Sequence, residues 1–207
     1  MKTISILNTI NVPINGKPKE DVILTAKSSL IAVMPSLMPF ITPKLAVNKG
    51  DSVKIGSTIF FDKKDTKLVF LSPTCGVIED IVYGAKRKIT HVLIKTNYKD
   101  DVETKNSFTN DEIKDSSSNE IKSAILDGGL WGTFKEFPFK NIPKTDTKLP
   151  DSIYLSMDND EPFYPESKVY LKDNIEDFNY GYDALKKLFN NVYVGVSVGV
   201  YVLCICW

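Results

Sequence analysis

A chain of 207 residues with 43% apolar side chains has enough material for one large core or two small ones. Its 26 basic and 26 acidic residues cancel, so no net field draws it to nucleic acid or, through a polybasic stretch, to a membrane surface; partners must be met through shape and local patches. Three cysteines, Cys75, Cys204 and Cys206, offer neither a paired metal-binding spacing nor an even disulfide framework. A reducing, cytosolic setting fits them. The one histidine, His91, cannot build an imidazole metal site by itself and reads as a core or strand residue.

Residues 1–14 lack the long apolar run and small-residue cleavage site of a signal peptide. From residue 29 to residue 95, short β-branched runs alternate with turn signals at Asn48-Lys49-Gly50-Asp51, Ile55-Gly56-Ser57, Ser72-Pro73-Thr74-Cys75-Gly76 and Tyr83-Gly84-Ala85-Lys86. This spacing predicts a compact all-β domain over residues 1–97. Residues 97–119 are polar, charged and nearly free of large apolar groups, so residues 98–118 read as a linker.

An incomplete, Rossmann-like α/β domain is expected over residues 119–207. It opens with a helix capped by Asn119, with Ile121, Ala124, Ile125 and Gly128 on one face and Gly128-Gly129 as its stop. Strands follow at residues 152–157 and 168–171. A second helix, capped by Asp173 or Asn174, carries Ile175, Phe178, Tyr182, Leu185 and Phe189 at helical spacing. Beyond it Val192, Val194, Val196, Val198, Val200 and Val202 occupy every second position, which means strand. As a helix, the uncharged stretch 192–207 would span only about 24 Å of a ~30 Å hydrocarbon core. The order helix, strand, strand, helix, strand stops in mid-pattern, and a valine-faced strand left at an edge is expected to make the isolated chain self-associate.

Gly50-Asp51-Ser52-Val53-Lys54-Ile55-Gly56, followed by Ser72-Pro73-Thr74-Cys75-Gly76-Val77-Ile78-Glu79-Asp80-Ile81, resembles the biotinyl/lipoyl barrel-sandwich pattern. Gly50, Gly56 and Gly76 suit turns that need positive φ, and Val53, Val77 and Ile81 are expected to face a small core. A carrier would also need an exposed lysine at the hairpin between the two motifs. Lys63, Lys64 and Lys67 are placed for it, but none has the Met-Lys-Met or Asp-Lys-Ala setting of carrier domains, and a solvated hairpin is the simpler reading. Asp158, Asp160 and Glu161 before Pro162 read as turn chemistry rather than a metal site. No catalytic residue, cofactor-binding residue or metal ligand is assigned.

Read in order, Ile4-Ser5-Ile6, Asn11-Val12-Pro13-Ile14-Asn15-Gly16-Lys17-Pro18, the barrel-sandwich pattern with Phe61-Asp62-Lys63-Lys64 and Gly84-Ala85-Lys86-Arg87, Gly129-Leu130-Trp131, Pro138-Phe139-Lys140-Asn141-Ile142-Pro143 and Met157-Asp158-Asn159-Asp160-Glu161-Pro162 resemble the N-terminal part of the A-subunit of the sodium-translocating NADH:quinone reductase. The likeness runs from about Ile4 to Val196. Asp160-Glu161 stands where the family tends to have a Thr-Asn pair, residues 198–207 do not resemble it, and the family's chain is roughly twice as long, so a truncated or split form is expected.

The resemblance implies a peripheral subunit on the cytoplasmic face of the bacterial inner membrane, docked to a membrane-embedded partner near the quinone end. NADH, flavins, an iron-sulfur centre and quinone belong to the whole complex. A distantly related flavin-bearing subunit has a glycine-rich phosphate loop where this chain has Asp127-Gly128-Gly129-Leu130-Trp131-Gly132-Thr133-Phe134-Lys135-Glu136-Phe137-Pro138. Leu130, Trp131, Phe134 and Phe137 fill that place and Glu136 repels phosphate, so no bound cofactor is expected. Two alternatives remain at this point: a biotin or lipoyl carrier, and an electron-transfer subunit that holds flavin and NADH itself.

Overall fold

The computed structural model describes residues 14–16, 18–105, 108–157 and 163–195. The chain start, the acidic cluster Asp158, Asp160 and Glu161, Cys204, Cys206 and the valine run beyond Gly195 lie outside the described residues. Two compact units are formed, Thr25–Lys148 on the one hand and Met1–Leu24 with Leu149–Trp207 on the other.

The unit Thr25–Lys148 is built on two antiparallel sheets. Strands β1 (Leu30–Val33), β3 (Ser52–Val53), β6 (Gly76–Tyr83) and β7 (Ile89–Thr96) form one in the order β1-β7-β6-β3; β2 (Pro43–Leu45), β4 (Thr58–Asp62) and β5 (Val69–Leu71) form the other in the order β2-β4-β5. Val53, Ile59, Phe60, Phe70, Ile78, Val92 and Ile94 are buried. Phe60 stacks on Phe70 with ring centres 4.6 Å apart. This is the expected barrel-sandwich hybrid.

The glycines of its motifs do two different jobs. Gly50 and Gly56 both adopt φ of +92°, a conformation that L side chains rarely take, as the turn reading requires. Gly76 does not. It faces β7 across the sheet, where a Cβ would lie 2.1 Å from the Lys95 carbonyl oxygen, so it is needed for close backbone approach. The strand phase is also shifted from expectation: Val77 is 41% exposed while Ile78 is 1% exposed. Because side chains alternate across a strand, Gly76 and Ile78 share the inner face and Val77 must point out.

The polar stretch expected as a linker carries structure of its own. Ile55 N donates to Asp101 O at 3.0 Å and Glu103 N donates to Ile55 O at 2.8 Å, a short parallel bridge beside the turn at Gly56. The Cys75 thiol donates to Asp101 O at 2.7 Å. Helix α1 (Asn110–Asp115) follows, then α2 (Ser118–Asp127). Each begins with a reciprocal capping box, Thr109 with Glu112 and Ser117 with Glu120. Ser117, not Asn119, is therefore the cap of α2. Backbone N–H groups of Thr109 and Ser117 donate to the Glu112 and Glu120 carboxylates, and these bonds, with those of the cap hydroxyls, lower both pKa values from their usual 4.5.

In the other unit, β8 (Ser152–Ser156) and β9 (Asn191–Gly195) pair in parallel from Ser152↔Asn191 to Ser156↔Gly195. Parallel neighbours need a long crossover, here made by α3 (Ser167–Leu171) and α4 (Ile175–Leu188). Helix α4 starts after Asn174 as expected, with Glu176 and Asp177 in its first turn and Lys186 and Lys187 in its last, matching the helix dipole. The strand expected at residues 168–171 is instead helix α3. Val169 and Leu171 alternate, but Ser167 and Leu171, four apart, are the buried pair, and helical spacing prevails over period two. Lys168 bridges Glu20 at 2.7 Å and Glu166 at 3.0 Å, and these carboxylates raise its pKa. Among the described residues no helix is long and apolar enough to cross a membrane.

Gly76→Ala is expected to cost about 3 kcal/mol or more, because the backbone of β7 must move to admit a methyl group. Urea unfolding followed by circular dichroism checks this; a loss below about 1 kcal/mol would show that β6 and β7 separate easily.

Candidate functional site

The glycine-rich stretch where a phosphate loop would lie closes the end of α2 and packs onto β5. Helix α2 ends at Gly128, whose N–H donates to Ala124 O at 2.8 Å, and Gly129 N donates to Leu126 O at 2.9 Å. Gly129 takes φ of +67° and leads into a tight turn at Leu130–Thr133. A Cβ on Gly129 would stand 2.7 Å from the Leu71 side chain, and one on Gly132 would stand 3.1 Å from the Phe70 ring. These glycines let the turn lie flat on β5. Their use is steric as well as conformational.

Trp131 is 1% exposed. Its indole N–H donates to Pro143 O at 2.8 Å, Phe134 packs edge-on at 5.3 Å, and the Lys122 ammonium sits 5.3 Å above the ring. Trp131 therefore packs, as the bulky-residue reading expects. Two neighbours do otherwise: Leu130 is 57% exposed and Phe137 is 76% exposed, so neither fills the loop.

Lys63, Lys64 and Lys67 are exposed on the hairpin between β4 and β5, where a carrier lysine would be displayed. The hairpin is braced from within. The buried Asp62 carboxylate accepts from Thr42 N at 3.0 Å and from Lys64 N at 3.2 Å. Asp65 reaches out of the turn and accepts from Thr145 N and from the Thr145 hydroxyl, both at 2.7 Å. Thr145 is itself buried. The three lysines thus decorate a turn clamped to a segment 80 residues away in sequence.

The other reactive side chains are dispersed. Cys75 is buried beside Asp101, and His91 is half-buried on β7 opposite Val82. A cleft of about 450 Å³ is lined by residues 45–49 and by Asp80, Ile81 and Tyr83 of β6, and the Lys49–Asp80 pair within it, 2.9 Å apart, lowers the Asp80 pKa. Among the described residues no three His, Cys, Asp or Glu side chains are grouped as metal ligands would be.

The family model described as the NqrA N-terminal barrel-sandwich hybrid domain matches residues 4–97, and that described as the NqrA second alpha/beta domain matches residues 116–202. The chain belongs to the NqrA family. Relatives named as the A-subunit of the Na(+)-translocating NADH-quinone reductase include one from Glaesserella parasuis, 30% identical over 187 residues, which cover 90% of this chain and 41% of the relative. Another, from Histophilus somni, is 29% identical over 185 residues, 89% of this chain and 41% of the relative. A third, from Mannheimia succiniciproducens, is 29% identical over 196 residues, 95% of this chain and 44% of the relative. The chain thus spans about two fifths of the length of these family members.

The family's order of domains was legible in the sequence. The clamp between Asp65 and Thr145 was missed, because no local pattern signals a bond across 80 residues. Asp65→Ala is expected to destabilise the unit by about 1–3 kcal/mol, since a buried N–H and a buried hydroxyl lose their acceptor together. Chemical denaturation of the two forms measures it, and unchanged midpoints would mean that water takes over both bonds.

Proposed function

We propose that this chain is a peripheral, cofactor-free component of a sodium-pumping NADH:quinone oxidoreductase, with a scaffolding or quinone-end role. On this reading electrons pass from NADH through flavins and an iron-sulfur centre in partner subunits to quinone while sodium is exported. The chain sits on the cytoplasmic face of the bacterial membrane against a membrane-embedded partner. The observation that carries the proposal is the match of two successive NqrA domains, in family order, to residues 4–97 and 116–202. The absence of a bound flavin is supported by Gly128 and Gly129, whose N–H groups are spent on helix carbonyls, and by the packing of Gly129 and Gly132 against Leu71 and Phe70. Amides so used are not free to cradle a phosphate.

Affinity purification of the tagged chain from its native membrane is the test. The expected outcome is co-purification of flavin-containing membrane subunits with NADH:quinone activity, while the chain purified alone is colourless. Recovery without any redox subunit would overturn the assignment to the complex. Stoichiometric FMN binding by the isolated chain tighter than ~10 μM, about 7 kcal/mol, would overturn the cofactor-free reading.

We also propose that residues 98–118 form the joint between the two functional domains, supported by the family matches that end at residue 97 and resume at residue 116. Limited proteolysis is expected to cut first between residues 98 and 118. The nicked chain should still elute as one species, because the turn at Leu130–Thr133 stays packed on β5. First cuts inside residues 47–94 would place the joint elsewhere.

A further inference from the structure

Residues 136–141 make a short excursion with an unusual display. Glu136 N donates to Asn141 O at 2.7 Å and the two residues form an antiparallel bridge. Between them stand Phe137, Pro138, Phe139 and Lys140, all exposed, with Phe137 at 76% and Phe139 at 77%. The excursion is held firmly at its base. Trp131 bonds to Pro143 and Asp65 bonds to Thr145, so the chain is fixed before the tip and immediately after it. Two exposed phenylalanines, two residues apart in the chain on an anchored support, mark a contact surface, since scattered single apolar residues are ordinary but a pair at one tip is not.

The charge around the tip is uneven. In a chain whose charges cancel overall, residues 135–148 contain Lys135, Lys140, Lys144 and Lys148 against only Glu136 and Asp146. Lys135 folds back to bond Gly132 O at 3.2 Å, whereas Lys140 and, four residues on, Lys144 are exposed. An apolar tip with cations at its shoulders has the composition of an interfacial membrane anchor, whose rings enter the headgroup boundary while the ammonium groups meet lipid phosphates.

We infer that the Phe137-Pro138-Phe139 tip inserts into the surface of an anionic lipid bilayer, with Lys140 and Lys144 on the phosphate layer. The inference deepens the peripheral-subunit reading by adding a contact of this chain with lipid itself, and it requires no partner subunit. Protein docking through the same tip is the competing outcome. A protein partner would have to offer a pocket for both rings together with acidic groups for the lysines, whereas an anionic bilayer offers both features on any patch of its surface.

The test uses the full chain and sedimented vesicles of phosphatidylcholine alone or with roughly 30% phosphatidylglycerol. Binding is expected to the anionic vesicles, weakened by salt. Phe137→Ser with Phe139→Ser should reduce it on the order of 10-fold or more, Lys140→Gln with Lys144→Gln should reduce it less, and Glu136→Gln should strengthen it. Apart from Lys144, these positions lie at the tip or its closing pair, so thermal unfolding of each variant should match the parent. In a Phe139→Trp variant, emission should shift to the blue on vesicles and be quenched by brominated acyl chains, beyond any change in the parent.

No binding to anionic vesicles, or binding indifferent to the two serines, overturns the inference. So does loss of the membrane subunits from a detergent pull-down by the double serine variant when the parent ignores vesicles, because the tip is then a protein contact. A pull-down that finds no redox subunit, with vesicle binding intact, sinks the complex assignment and leaves the lipid contact standing.

Discussion

The stacked pair Phe60 and Phe70 has a flank that a glycine-bearing turn closes. Gly132 lies against the Phe70 ring, where a methyl group would be crowded, and Gly129 lies closer still to Leu71. That close approach seats Trp131, whose burial contributes on the order of 3 kcal/mol. The indole in turn holds the carbonyl of Pro143, and two residues later Thr145 is clamped by Asp65. From Gly128 to Thr145 the chain thus acts as a strap across the β4–β5 hairpin, attached in turn at Gly129, Gly132 and Thr145, with the Trp131–Pro143 bond between them. A larger residue at Gly129 would be strained by the positive φ and would meet the Leu71 side chain, and one at Gly132 would need the Phe70 ring to give by a few tenths of an ångström.

The strap explains why compactness and family domains divide the chain at different places. The second family domain begins near residue 116, yet residues up to Lys148 group with the β unit. Nothing in this is contradictory. Family domains record which residues are matched together among relatives, while a compact unit records where the apolar surfaces are satisfied. Gly129 and Gly132 have their partners on β5, so the opening residues of the second domain are physically part of the first unit.

Much of the fold was legible because glycine and period-two alternation act locally. Gly50 and Gly56 announce their turns by the same positive φ that any such turn demands. Gly76 was legible as indispensable, but for the wrong reason, since a short distance to Lys95 across the sheet leaves no trace in neighbouring residues. The capping boxes Thr109-x-x-Glu112 and Ser117-x-x-Glu120 were present as a pattern, but the polar composition around them drew the reading away from their reciprocal bonds, so the cap of α2 was placed at Asn119 instead of Ser117. Residues 168–171 were misread because four residues are too few to tell alternation from a single helical turn. Nor could sequence tell a packed aromatic from a displayed one. Trp131 and Phe137 belong to one bulky run, and tertiary structure buries the first and exposes the second.

The same distinction bears on how such a loop changes employment. A glycine-rich turn after a helix can offer free amides to an anion or can lie close against a sheet, but one turn cannot do both with the same atoms. Here the N–H groups of Gly128 and Gly129 close the end of α2, and the bare faces of Gly129 and Gly132 meet Leu71 and Phe70. The turn's chemistry is thereby directed inward. What the segment presents outward is the Phe137–Lys140 tip, carried on a base that the inward contacts tether. Tethering matters for that display. Ordering a loop at a surface costs conformational entropy that offsets the gain from burying its side chains, and bonds at Pro143 and Thr145 leave less of the chain to be ordered in the contact inferred above.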